Sequence, residues 1–209
     1  MARGKSNPYR KNDAFTDRAK KAGYPARRVF KLEEIDQRVK LLRPGQHVLD
    51  LGASPGSWSL YVASKIGPQG RLLAVDLQPL RTQLPPSNSE FVLGDALTLD
   101  DAVLGRFAPY DVVVSDMAPS TSGNKMADQA RSFELFMRAL AVAERYTAEG
   151  GTFVGKIFMG ADFPEARAAV KKVFAKERLI RPESVRAVSF EIFVIGSERC
   201  PRPEAEGGQ

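Results

Sequence analysis

Residues 48–58 read Val-Leu-Asp-Leu-Gly-Ala-Ser-Pro-Gly-Ser-Trp. A short apolar run ends in acid and apolar residues, then breaks into a glycine-containing loop that opens a helix. That is how a parallel strand delivers its carboxyl end to a ligand. Gly52 and Gly56 carry no Cβ, so backbone can come close to a bound molecule there. The spacing is G-x-x-x-G, and no Lys-Ser/Thr pair follows. The fingerprints for a dinucleotide pyrophosphate and for a triphosphate-cradling loop are both absent. A cofactor with an adenosine but no phosphates fits better, which points to S-adenosylmethionine.

Strands and helices alternate after this segment. Helical spacing of Val29, Leu32, Ile35, Val39 and Leu42 predicts an amphipathic helix over Pro25–Leu42, stopped by Pro44-Gly45. Apolar runs predict strands at His47–Leu51, Arg71–Asp76, Ser89–Leu93, Tyr110–Ser115 and Thr152–Phe158. Helices are expected at Ser57–Ile66, near Thr98–Gly105, from about Ala127 to Ala148, and over about Pro164–Lys176. Two further strands, near Arg178–Arg181 and Ser189–Ile195, close the chain with no crossover helix between them. The repeating order predicts a parallel sheet with helices on both faces. The closing pair makes one strand antiparallel. The expected fold is therefore α/β, a Rossmann-like methyltransferase architecture with a mostly parallel seven-stranded sheet.

Charge is concentrated at one end. Residues 1–31 hold ten Lys and Arg against Asp13 and Asp17, a net of +8, while the whole chain is +6. A polyanion partner is implied, with Arg10, Lys11, Lys20, Lys21, Arg27 and Arg28 as candidate nucleic-acid contacts. Tyr9, Phe15, Tyr24 and Phe30 are interleaved and could stack on bases. A weaker basic stretch, Lys171 to Arg186, reads equally well as a solvated helix face. Residues 1–24 are expected to form a basic, partly mobile RNA-binding arm, 25–197 the catalytic domain and 198–209 a flexible tail. No apolar run is long enough for a membrane span, and the basic N-terminus lacks the apolar core of a secretory signal. Cys200 is the sole cysteine and His47 the sole histidine. These favour a reducing, cytoplasmic setting and leave no Cys/His cluster for a metal. His47 itself reads as an exposed strand-entry residue. A general base must then be Lys, Asp, Glu or Tyr.

Acids recur at the carboxyl ends of the first four strands: Asp50, Asp76, Asp95 and Asp116. Asp76 follows Gly56 by 20 residues, close to the spacing at which a carboxylate reaches ribose hydroxyls. Asp95 could accept from an adenine amino group. Trp58 either walls the site or packs the helix on the sheet. Lys156 and Glu191 each lie inside apolar runs, where a charge needs a partner or a cavity. Adjacent strand ends make an Asp116–Lys156 contact plausible.

Together these segments resemble the FtsJ/RrmJ family of RNA ribose 2′-O-methyltransferases, in the subgroup acting on bacterial 23S ribosomal RNA. The matching pieces are Phe30-Lys31-Leu32-Glu33-Glu34-Ile35-Asp36, residues 49–59 around the glycine loop, Ser115-Asp116-Met117-Ala118-Pro119, Gly123, Lys156-Ile157-Phe158 and Glu191. The resemblance implies a Lys-Asp-Lys-Glu tetrad at Lys31, Asp116, Lys156 and Glu191. It places the donor at Gly56, Trp58, Asp76, Asp95 and Asp116, beside the Gly52 turn. Only the resemblance promotes Lys31, which otherwise reads as a surface lysine. Ser57 stands where a second glycine is common, Ser54 where alanine is usual, and Phe190 where Arg or Tyr is frequent.

The implied reaction moves a methyl group from S-adenosylmethionine to a uridine 2′-hydroxyl of 23S ribosomal RNA in the large ribosomal subunit. Lys156 would deprotonate that hydroxyl or steer it. Transfer RNA, an mRNA cap, or a non-catalytic role in ribosome assembly are the competing readings. A monomer without metal is expected.

Overall fold

Apolar runs bounded by acids and glycines become the strands of one sheet. The computed structural model describes residues 8–186 and 189–201, with side chains from residue 14 onward. The strands are β1 (His47–Leu51), β2 (Arg71–Asp76), β3 (Ser89–Leu93), β4 (Tyr110–Ser115), β5 (Thr147–Phe158), β6 (Phe174–Ile180) and β7 (Glu191–Arg199). Their spatial order is β3-β2-β1-β4-β5-β7-β6. Neighbours from β3 to β5 are parallel, and β7 runs antiparallel to both β5 and β6. The chain steps outward from β1 to β3 and returns to the other side of β1 for β4. The sheet order reverses at that point, and open α/β sheets bind ligands there, beyond the carboxyl ends of the strands.

Alternation along β1 sends Val48 to one face and Leu49 to the other. On the first face lie α2 (Val29–Val39) and α3 (Ser57–Ile66), which bury Leu32, Ile35, Trp58 and Val62 against Val48, Val114 and Phe193. The opposite face carries α4 (Asp101–Leu104), α5 (Lys125–Tyr146) and α6 (Phe163–Val173), with Phe136, Leu140 and Val170 packed on Leu49, Phe153 and Val194. Both faces are covered, which explains why the inner strands read as continuous apolar runs.

The first helix is α1 (Pro8–Lys21), within the arm expected to be partly mobile. Ala19 is fully buried, and the Phe15 ring lies 5.5 Å from that of Phe30 on α2. The arm over 1–24 is thus helical from Pro8 and docked through its second half. Elsewhere the differences fall at boundaries. α2 starts at Val29 instead of Pro25 and ends early because Lys40 turns left-handed (φ 52°). The buried Asp36 carboxylate fixes that end by accepting from the Leu42 N–H at 2.8 Å and from the Tyr61 hydroxyl at 2.8 Å. β5 begins at Thr147, ahead of the Gly150-Gly151 turn, with an irregular register against β4. α6 stops at Val173, since Phe174 pairs with Arg199 and starts β6. β7 extends through Arg199, so the tail begins later than residue 198, and 202–209 lie outside the described residues. His47 is half-buried, its Nδ1 2.8 Å from the Phe107 carbonyl, not exposed.

Candidate active site

The loop after β1 and the loop after β4 meet above the reversal point. Gly52 has φ +82°, and a Cβ there would lie 2.7 Å from Met117 Cγ. Its N–H and that of Ala53 donate to the Val75 carbonyl, at 2.9 and 3.1 Å. Gly56 caps α3 with φ +105°, and a Cβ there would lie 2.6 Å from Thr82 Cγ2. Only glycine meets both demands without strain. Asp76 closes the loop from the β2 end: one oxygen accepts from Ser54 N–H at 2.8 Å, the other from Gln78 N–H at 2.7 Å. Asp95 accepts from Leu97 N–H at 2.9 Å and stays half-buried on the same rim.

Asp50 lies beneath this loop, fully buried. Its Oδ2 accepts from the Ser59 hydroxyl at 2.6 Å, while Oδ1 has no hydrogen-bond partner. Burial pushes its carboxyl up to about 7, and the charges of Asp116 and Asp76 add to the effect, against the Ser59 hydrogen bond. An orphaned buried carboxylate oxygen under a glycine loop, with half-buried acids at the next two strand ends, suits a ligand that is cationic at one end and carries ribose hydroxyls at the other. The Trp58 side chain is buried below that rim's surface. Its ring is buried 5.7 Å from Phe193, and its indole N–H donates to the Arg28 carbonyl at 2.9 Å. Of its two possible roles, packing is the one realised by the side chain.

Four charged residues from distant parts of the chain converge beside the loop. Asp116 follows β4, and Ser115 pairs with Gly155, which sets Lys156 next to it on β5. Lys156 Nζ donates to Asp116 Oδ1 at 2.9 Å and to the Asp116 carbonyl. Across β5 and β7, Lys156 faces Phe193, two residues from Glu191, so both charged side chains emerge on the α2 face. Lys31 on α2 reaches in from above. Its Nζ lies 2.5 Å from Glu191 Oε1 and 4.0 Å from Asp116 Oδ1. The Lys31–Glu191 contact is an ion pair off the hydrogen-bonding angles, since Oε1 has no hydrogen-bond donor. Lys156 is 4% exposed, Asp116 4% and Glu191 9%, so these charges compensate one another in a nearly dry pocket.

The electrostatics follow from that crowding. Burial alone would raise the Asp116 carboxyl, but the cations of Lys156, Lys31 and Arg28 outweigh it and hold it at about 2. Burial lowers Lys156 below the ordinary lysine value, and Lys31 lowers it further, against the pull of Asp116 and Glu191. The cluster thus combines a carboxylate that stays ionised with an amine that gives up its proton more readily than usual.

Similarity to known proteins agrees with this geometry. Residues 24–199 match the FtsJ-like methyltransferase family. This chain belongs to that family. It is 63% identical over 193 residues, 92% of this chain and 91% of the relative, to Ribosomal RNA large subunit methyltransferase E of Sorangium cellulosum (strain So ce56). The protein of the same name from Bdellovibrio bacteriovorus is 48% identical over 192 residues, with 90% and 97% covered. A crystal structure described as a ribosomal RNA methyltransferase from Plasmodium falciparum shares the fold. Its TM-score is 0.73 at 24% identity, over 86% of this chain and 100% of that one. Aeropyrum pernix fibrillarin, with S-adenosyl-L-methionine bound, shares it more loosely, with a TM-score of 0.54 at 14% identity over 74% and 67% of the two chains.

In this family member the sequence reading missed two features of the site. Arg28 was expected to contact RNA only, yet its guanidinium lies 3.6 Å from Asp116 Oδ2. Its position three residues before Lys31, on one helix face, was the available signal. Ser57 is the second: its hydroxyl donates to the Ala26 carbonyl at 3.0 Å and accepts from the Ala26 N–H at 2.9 Å. That pair clips the segment carrying Arg27 and Arg28 to the start of α3. Arg27 is half-buried and feels both Arg186 and Glu191. Lys20 and Lys21 are exposed in the last turn of α1, while the side chains of Arg10 and Lys11 lie outside the described residues. A cavity of about 840 Å³ opens at the far end of the sheet, between Arg38, Arg43, Glu149, Lys176 and Glu198. None of Lys31, Asp116, Lys156 and Glu191 lines it, and Arg38 pairs with Glu34 there and Lys176 with Glu198.

Proposed function

We propose that this chain transfers a methyl group from S-adenosylmethionine to the 2′-hydroxyl of a uridine ribose in 23S ribosomal RNA. It acts as a cytoplasmic monomer, with the RNA presented in the large ribosomal subunit. The observation that carries the reading is the convergence of Lys31, Asp116, Lys156 and Glu191 beside the glycine loop. The relatives named above, covered over nine-tenths of this chain, support the ribosomal target.

Gly52, Gly56, Asp76 and Asp95 would hold the donor, with Asp50 bracing the start of α3 from below through Ser59. When bound, the donor supplies a methyl group on a sulfonium, already a strong electrophile. The protein's remaining tasks are to place the hydroxyl and to weaken its proton. Lys156 does both. Its two hydrogen bonds to Asp116 use two N–H groups, so the neutral amine keeps a lone pair directed elsewhere. Nζ accepts the proton leaving the 2′-hydroxyl. Asp116 fixes the amine's direction and then stabilises the ammonium that forms. Lys31, held by Glu191, adds to burial in lowering the basicity of Lys156 and offers its positive charge to the developing oxyanion. A 2′-hydroxyl acceptor selects RNA over DNA.

The test is methyl transfer from labelled donor to large subunits, free 23S RNA and transfer RNA, side by side, with the ribose position mapped. Transfer to one uridine of the ribosomal substrates is expected. Labelling of transfer RNA alone, or of a base instead of a ribose, would overturn the reading.

A further inference from the structure

An exposed aromatic ring stands on the rim of the charged cluster. Phe190 precedes Glu191 directly and is 42% exposed. Its carbonyl accepts from Met159 N–H at 2.9 Å, so its backbone is fixed beside the carboxyl end of β5, just beyond Lys156. Side chains alternate along extended chain. Glu191 therefore turns inward to Lys31 while Phe190 turns to the α5 side.

There Lys125 Nζ lies 3.9 Å from the Phe190 ring centroid. Lys125 is the first residue of a 22-residue helix, where the macrodipole disfavours a cation. Asp128, the acid of that first turn, is engaged by Ser122 and Arg131. Met126 beside it is 79% exposed. An apolar face and a cation are thus displayed where neither gains much from the fold. Both gain from a nucleic acid, because every base has a face to stack and every nucleotide a phosphate.

We infer that Phe190 is a stacking platform for an unpaired RNA base flanking the ribose to be methylated, with Lys125 leaving the ring for that nucleotide's phosphate. The inference rests on the methyl-transfer reading and adds a residue that selects single-stranded over paired RNA. A base stacked on Phe190 replaces a solvent-exposed cation–π contact, which is weak enough to be exchanged. Lys125 moves to an anion near a helix N-terminus, where phosphate is favoured.

The test uses the full-length chain and its Phe190→Ala, Phe190→Leu and Phe190→Tyr variants. Binding of single-stranded oligouridine and of an RNA duplex is measured by anisotropy, and methyl transfer to large-subunit RNA gives KM and kcat. Alanine and leucine should each weaken oligouridine binding and raise the RNA KM roughly tenfold, the size expected for one lost base stack. Donor affinity and kcat at saturating RNA should be unchanged, and tyrosine should restore binding. Leucine matching the wild type, or alanine leaving either the oligouridine Kd or the RNA KM unchanged, would overturn the platform. Stacking effects on oligouridine without any methyl transfer would sink the enzymatic reading and leave the platform standing. Methyl transfer indifferent to Phe190 would do the reverse, and a chain that neither binds nor methylates RNA overturns both.

Discussion

Lys156 is the residue at which burial and a neighbouring cation act against two carboxylates, and the balance holds the amine below the ordinary lysine value. The rate of methyl transfer at saturating donor and RNA should therefore climb with pH and level off below the ordinary lysine value of about 10.4. The sign is that of a base: the neutral form is active, and a lowered value brings it in at lower pH. Asp116, held at about 2, stays ionised throughout and adds no acidic limb near neutrality. Lys156→Met should remove most turnover, of the order of a hundredfold or more for a lost proton acceptor, while calorimetry finds donor affinity near normal. A methionine variant turning over at wild-type rate would exclude the assignment. Asp50 offers a second check. Its folded value near 7 lies above that of an unfolded aspartate, so its contribution is complete below about pH 4 and is lost as pH rises to 7. Asp50→Asn should be less stable than the wild type, or equal to it, at pH 4 and gain on it by up to about 4 kcal/mol by pH 8. Parallel denaturation midpoints for the two proteins across that range would show that the carboxyl is not perturbed.

At the scale of elements, the clip between α3 and the segment before α2 decides where Arg28 and Lys31 stand. Ser57→Gly deletes both hydrogen bonds to Ala26 and leaves two polar backbone groups short of partners. It should cost about 1–3 kcal/mol in urea unfolding and raise the RNA KM more than the donor Kd. α1 is held to α2 by Phe15 and Ala19, with Lys20 and Lys21 exposed at its end. Lys20→Glu with Lys21→Glu should weaken RNA binding and flatten its dependence on salt, because each phosphate contact contributes to that slope. A slope equal to the wild type's would remove α1 from the RNA surface. The elements also differ in how legible they are in the sequence. β1 to β4 are readable to the residue: β1, β2 and β4 are covered on both faces and give apolar runs that end at Asp50-Leu51, Asp76 and Ser115, while the half-exposed edge strand β3 is bounded by Asn88 and Gly94. The α6–β6 boundary is not, because Phe-Ala-Lys-Glu-Arg suits a helix until β7 pairs with it. The glycines and the acids of the site announce themselves by spacing. Whether Trp58 faces donor or core depends on Phe193, 135 residues downstream in the sequence, and spacing carries no such information.

Taken as a whole, the molecule divides its surface between two tasks along the sheet's carboxyl edge. The glycine loop and strand-end acids proposed to hold the donor span β1 to β3, and the charged cluster spans β4, β5 and β7 with α2 above. The two regions touch where Met117, one residue past Asp116, closes on Gly52. Donor binding should therefore be separable from RNA binding and from turnover. A ligand that binds only the folded chain stabilises it by about 2.7 kcal/mol at a hundred times its Kd. For a chain of 209 residues that corresponds to a rise in Tm of roughly 5–10 °C. S-adenosylmethionine and its demethylated product are expected to give this shift with the wild type and equally with Lys156→Met. Gly56→Val should lose it, because a branched Cβ meets Thr82 and cannot readily adopt φ +105°. Thermal melting of the three proteins with and without ligand reads the outcome directly. An unshifted wild type would displace the donor from the β1 loop, and a shift retained in Gly56→Val would detach it from this turn.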